Sequence, residues 1–248
     1  MGEETFISHL MELRDRLLRS LIAIGLVFVC LFPWASELYD FIAAPMMRAL
    51  PEGSHMIATG VVTPFLIPVK VAMVVAFLIV LPYVLYQAWA FVAPGLYAHE
   101  KRLVMPLVIA STVLFVIGIA FCYFFVFGVV FHFVNTIAPK SISVAPDIEN
   151  YLNFVMTMFL AFGVTFEVPI AVIVLVRMGM VTIEQLKHTR PYFIVGAFVI
   201  AAVVTPPDVV SQMLLALPLC LLYEVGIFVA RFVGRPAAVA EDETRQLP

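Results

Sequence analysis

Few side chains in this sequence are placed to make or break bonds, and the patterns they form stop short of catalytic sites. His99-Glu100 begins like the zinc-protease motif His-Glu-x-x-His, but Leu103 stands where the second histidine ligand must be. No Gly-x-Ser-x-Gly turn exposes a nucleophile, and no Gly-x-x-x-x-Gly-Lys-Ser/Thr loop cradles a phosphate, so a hydrolase or NTPase built on those loops is excluded. Cys30, Cys122 and Cys220 each lie in an apolar run with no Cys-x-x-Cys, so neither a metal site nor a disulfide framework is encoded. The expectation is a protein that is not an enzyme and needs no cofactor and no metal. What remains is a small set of carboxylates, Glu12, Glu100 and Glu167, whose surroundings decide their use.

Those surroundings are apolar. Of 248 residues 63% are hydrophobic and 12% charged, against ~45–50% and ~25% in a soluble domain, and mean hydropathy is +1.08. A net charge of −3 gives no electrostatic case for nucleic acid as partner. Long apolar runs with at most two of Asp, Glu, Lys and Arg mark six candidate spans: 17–34, 61–93, 103–134, 154–176, 192–204 and 209–233. The fifth holds 13 residues, which at ~1.5 Å each reach only ~20 Å of a ~30 Å hydrocarbon core, so local thinning or lateral partners are implied. No small-x-small site follows the first run, so it reads as an uncleaved helix rather than a signal peptide.

Basic residues set the orientation. With the N-terminus inside, Arg14, Arg16, Arg19, Lys101, Arg102, Arg177, Lys187, Arg190, Arg231, Arg235 and Arg245 are cytoplasmic, against Arg48, Lys70 and Lys140 outside. Pro82, Pro106, Pro169 and Pro218 should each kink a span. The expected fold is therefore an all-α polytopic membrane protein with six kinked transmembrane helices forming a bent, concave body and both termini cytoplasmic. It is one membrane domain, 1–235, with an amphipathic N-terminal segment at 5–17 and a short solvated tail at 236–248.

Within that frame, Phe6, Leu10, Leu13 and Leu17 fall at helical spacing, with Ser8, Glu12, Asp15 and Arg19 on the other face and Glu12–Arg16 as an i,i+4 pair. The stripe suits a helix lying on the membrane surface; the charges equally suit a solvated face. Trp89, Phe91 and Tyr97 fit an interfacial aromatic belt, Pro94-Gly95 ends the second span, and Glu100 opens the third, where a plain helix N-terminal acid is the alternative reading.

Six phrases occur in order: His-Leu-x-Glu-Leu-Arg-x-Arg-Leu at 9–17, Tyr-Gln-x-Trp-x-Phe-x-x-Pro-Gly-Leu at 86–96, His-Glu-Lys-Arg at 99–102, Phe-Gly-Val-x-Phe-Glu-x-Pro at 162–169, Arg190-Pro191-Tyr192, and Thr205-Pro206-Pro207-Asp208. In this register over residues 6–231 the chain resembles the TatC family, receptor subunits of the twin-arginine protein translocase in the bacterial cytoplasmic (inner) membrane. The resemblance implies binding of twin-arginine signal peptides of folded cargo, assembly with the single-span subunits TatA and TatB and with other copies of the chain, and drive by the proton-motive force.

On this reading Glu12 and Glu100 accept the two signal arginines, Phe91 and Leu10 form an apolar margin, and Arg14 holds the N-terminal segment to lipid headgroups or to Glu100. Glu167, mid-membrane, either bonds a neighbouring helix as a neutral acid or lines the concave hollow. Asp208 should cap the sixth helix. Gln212, one turn inside an apolar helix, has little of its own chain to satisfy it, so with Thr205 it is expected to dock a partner helix, bonding within the turn being the alternative. The neighbouring Ala201, Ala202 and Val203 offer packing without polar groups. The rival class is a proton-coupled small-molecule transporter, supported by Glu167 and a short repeat at 166–170 and 223–227, but without the longer internal symmetry many transporters show. A purely structural scaffold would leave the acids replaceable.

Overall fold

The computed structural model describes residues 2–49, 56–92, 104–137, 146–205 and 208–233. Among them the regular structure is helical: α1 Gly2–Leu31, α2 Ala35–Ala49, α3 Thr63–Val92, α4 Val104–Phe121, α5 Phe127–Ile137, α6 Ile148–Arg177, α7 Ile183–Val204 and α8 Val209–Val233. A π-helical stretch, Cys122–Val126, joins α4 to α5 without a break. Among the described residues five stretches are long and apolar enough to cross a bilayer: Ser8–Ala44, Thr63–Phe91, Met105–Val134, Ile148–Arg177 and Val209–Phe232.

The amphipathic segment at 5–17 and the first apolar run form one helix, because nothing between them breaks the backbone ladder. The break comes at Pro33, in a 3-10 turn spanning Phe32–Trp34. The chain then forms α2, which the apolar runs did not anticipate. Pro45, inside α2, has no amide to offer the carbonyl of Phe41 four residues earlier. The Tyr123 hydroxyl donates to that carbonyl at 2.8 Å, its ring stacked on Phe41, and the Tyr151 hydroxyl donates to the Ile42 carbonyl at 2.9 Å. Tyr123 stands in the π-helical stretch, whose wider turn displaces the side-chain register of this span.

The fifth apolar run, 192–204, is not among those five stretches, but it lies in a longer helix. α7 has 22 residues, about 33 Å of helix, because it starts nine residues before the apolar run. Thr182 and Gln185 form a capping box, Thr182 Oγ1 accepting from the Gln185 amide at 3.2 Å and Gln185 Oε1 from the Thr182 amide at 2.8 Å. The apolar part is short; the helix is not. Pro106 lies two residues into the described part of α4. Pro68, Pro82, Pro169, Pro191 and Pro218 lie inside helices.

The core centres on α6, which packs chiefly against α8 and α4. A methyl group at Gly118 of α4 would lie 2.6 Å from the Phe162 carbonyl, and one at Gly163 of α6 would strike the Phe115 ring. The two helices therefore cross at nearly backbone contact. Around the crossing, Phe127, Phe159 and Phe162 are buried with Tyr151 and Phe131 in an aromatic cluster. At the α2 end, the segment before α3 is fastened to the start of α6. The Ile57 amide donates to the Pro146 carbonyl at 3.0 Å and the Ile57 carbonyl accepts from the Ile148 amide at 2.9 Å, Asp147 takes the Thr59 hydroxyl at 2.6 Å while capping α6, and Lys70 reaches Glu149 at 2.9 Å.

Candidate functional site

At the opposite end, the start of α1 lies along the end of α3, and the residues at this junction are polar. Glu12 projects from α1 with its side chain 37% exposed. Arg16, one turn on, donates Nε at 3.0 Å and Nη2 at 2.7 Å to the same oxygen, Glu12 Oε1, and its Nη1 reaches Gln87 Oε1 on α3 at 3.0 Å. Gln87 is only 6% exposed, so this amide is a fixed acceptor in the helix interface. Glu12 Oε2 faces His9 Nδ1 at 4.0 Å, beyond hydrogen-bond range, and the His9 ring stacks on Phe91 with centroids 4.2 Å apart. One carboxylate oxygen is thus engaged and the other open.

Of the residues expected here, the structure brings Glu12 and Phe91 to one place through His9, and leaves Leu10 exposed beside them. Arg14 is turned elsewhere: it pairs with the adjacent Asp15 at 2.8 Å, both well exposed. Glu100 lies outside the described residues. His9 and Gln87 were missed as site residues, although a lone amide inside an apolar run was a visible signal. The Glu12–Arg16 pair was legible from its spacing, but not its attachment to α3.

Deeper in the body, Glu167 has both carboxyl oxygens buried without a hydrogen-bond partner among the described residues. Ser111, fully buried on α4, is its polar neighbour, and Ser111 Oγ already accepts from Trp89 Nε1 at 2.9 Å. At the α2 end Asp208 Oδ1 accepts from the Ser211 amide at 2.7 Å, capping α8. Gln212 does find an acceptor in its own chain: its Nε2 donates to the Phe198 carbonyl of α7 at 3.2 Å, because the longer α7 runs alongside α8. Thr205 is buried and donates to the Ala201 carbonyl at 2.8 Å. Beside them an apolar groove of about 620 Å³ runs between α6 and α7 over α8, edged by Leu160, Val164, Ile200 and Val204. No group of three or more His, Cys, Asp or Glu able to hold a metal occurs among the described residues.

Membrane-length apolar helices define an integral membrane protein, and at one end of it an arginine-engaged carboxylate sits at the junction of α1 and α3. Its sequence agrees. Residues 8–218 match the family model described as Sec-independent protein translocase protein (TatC). The chain is 52% identical over 229 residues to the Sec-independent protein translocase protein TatC of Haemophilus influenzae, covering 92% of this chain and 90% of that protein. It is 49% identical over 233 residues to the TatC of Escherichia coli K12, covering 94% and 90%. A crystal structure described as the twin arginine translocase receptor TatC superposes with a TM-score of 0.80 at 39% identity, covering 92% of this chain and all of that one. The chain belongs to the TatC family of Sec-independent protein translocase proteins. That membership removes the ground for the small-molecule transporter reading, and the family is one of translocases, not enzymes.

Proposed function

We propose that this chain is the signal-peptide receptor of a twin-arginine translocase, with Glu12 one of two carboxylates that take the paired arginines. The observation that carries this reading is the half-open Glu12 carboxylate, already geared to a guanidinium and bordered by the His9–Phe91 stack. Glu100 supplies the second carboxylate, and Leu10 and Phe91 the apolar margin for the residues that follow the arginines. A guanidinium offers a planar fork where an ammonium offers a point, so two such contacts discriminate twin arginine from twin lysine. Exposed pairs contribute only ~0–1 kcal/mol each, so the apolar part of the signal must add affinity along α3.

In the same reading the protein sits in the bacterial inner membrane with six spans, a kinked and concave body and both termini cytoplasmic, α7 completing the set through its apolar half. TatA or TatB docks its single helix at the α7 side, near Thr205 and Gln212. The groove between α6 and α7 supports that placement, and the carbonyl already bonded by Gln212 limits how much polar affinity is left. Further copies of the chain complete the receptor. Arg14 holds the N-terminal segment to headgroups, and Glu167 draws water toward the translocation path. The deciding measurement is binding of a twin-arginine peptide and its twin-lysine counterpart to the purified chain in nanodiscs. Preference for twin arginine that is lost in Glu12→Ala/Glu100→Ala is expected; unchanged affinity in the double variant refutes the site.

A further inference from the structure

Glu12 does not wait empty for a cation. Both donors on one edge of Arg16 converge on Oε1, and the third nitrogen is held by an amide on a different helix. An i,i+4 ion pair on a solvated helix needs no such second anchor. Gln87 is buried, and Arg16 itself is only 22% exposed, so the guanidinium is lodged between α1 and α3 rather than waving in solvent. An incoming guanidinium that grips a carboxylate with two parallel bonds needs both oxygens, and Arg16 covers one of them.

We infer that Arg16 is a built-in occupant of the arginine site, displaced by a signal arginine and kept within reach by Gln87. This rests on the receptor reading above and names how that site selects. In the exchange Arg16 releases Glu12 Oε1 and stays tethered through Nη1 to Gln87 Oε1, while the signal arginine takes both carboxylate oxygens. An arginine replaces like with like, so the exchange is nearly even. A lysine brings one compact donor and cannot match the two bonds it must break; if it settles on Oε2 alone it meets the positive charge of Arg16. The occupant therefore raises the threshold for any cation, and raises it more for lysine.

The test uses the full chain in nanodiscs, fluorescent twin-arginine and twin-lysine signal peptides, and the variants Arg16→Met, Gln87→Leu and Arg16→Met/Gln87→Leu, each first checked for wild-type elution and melting. Removing the occupant should tighten twin-arginine binding by about two- to five-fold, the size of one exposed ion pair. It should tighten twin-lysine binding more, so that the ratio of the two affinities narrows. Gln87→Leu should weaken twin-arginine binding when Arg16 is present and leave it unchanged in the Arg16→Met background, a coupling that a purely structural glutamine would not produce. If Arg16→Met leaves affinity unchanged or weakens it while Glu12 still matters, Arg16 merely positions Glu12 and the exchange is wrong. A wild-type chain with no preference for twin arginine overturns the receptor reading itself, and the exchange with it.

Discussion

Glu167 and Glu12 show how the same side chain is given opposite tasks by its neighbours. Glu12 has a cation on one oxygen and only the His9 ring, 4.0 Å away, facing the other; Glu167 has two buried oxygens with no hydrogen-bond partner among the described residues, the Ser111 hydroxyl being the polar group beside it. A buried polar group without a partner costs about 1–3 kcal/mol, so the Glu167 carboxyl is a site where the fold gives up stability. Glu167→Leu should therefore raise the melting temperature while lowering export, and Glu167→Gln should leave melting within about 1 kcal/mol of wild type, since one orphan polar group replaces another. A Glu167→Leu protein that melts lower would show that the carboxyl has a structural partner in the membrane. At the other site Glu12→Gln keeps size and removes charge, and should weaken twin-arginine peptide binding about five-fold, as expected for one partly exposed ion pair, measured by titration in nanodiscs.

Helix α2 is held by bonds that its own sequence makes necessary. Pro45 leaves the Phe41 carbonyl without an intrahelical donor, and Tyr123 fills the vacancy from a π-helical turn in another span. Tyr123→Phe removes one hydroxyl and should cost about 1 kcal/mol. The loss should be local: amide exchange in 35–49 should accelerate while that in α1 stays unchanged, and global acceleration would mean the phenol supports the whole bundle. The α4–α6 crossing is a second element-scale device. Gly163→Ala drives a methyl group into the Phe115 ring and should destabilise by about 1–3 kcal/mol. Phe115→Leu in the same chain should recover part of that loss, because the smaller side chain can move aside; failure to recover would place the clash on the backbone.

Across the whole molecule, two ends with different chemistry are joined by an apolar body. The α2 end is fastened by Asp147, whose carboxyl is held below the usual carboxylate range by the Thr59 hydroxyl first, and then by the amides of Asn150, Thr59 and Glu149. A carboxyl with a lowered folded pKa contributes stability above its ordinary value of 3.8 and loses it as pH falls through the lower, folded value. Amide exchange in 56–62 should therefore accelerate on acidification below about pH 4, where carboxylates ordinarily protonate. Asp147→Asn should remove that dependence. Partner docking is also decided at this scale. A photocrosslinker at position 203, where Val203 is 81% exposed, should form adducts with TatA or TatB in membranes containing both, and Gln212→Leu should reduce them. Adducts with neither partner would move the docking surface away from α7.

The sequence by itself determined the solvent and the family. Uninterrupted apolar runs can be satisfied only by helices in lipid, since a bilayer offers backbone groups no water, and the order of six short phrases carried the translocase resemblance. It also made the Glu12–Arg16 pair and the Asp208 cap legible, because helix spacing and cap chemistry are local. Hydropathy could not reveal the length of α7, whose first turns are polar and whose start is fixed by a Thr182–Gln185 box that carries no apolar signal. Nor could it reveal α2, an amphipathic helix shorter than a span. Only the tertiary structure decided that Arg16 is anchored to Gln87 across 71 positions of chain. It alone decided that Gln212 finds the Phe198 carbonyl, and that Glu167 finds no hydrogen-bond partner among the described residues. A helix fixes which residues share a face, but which polar group another helix brings opposite that face depends on register and crossing. Those are set by contacts such as Gly118 against Phe162 that no local pattern encodes.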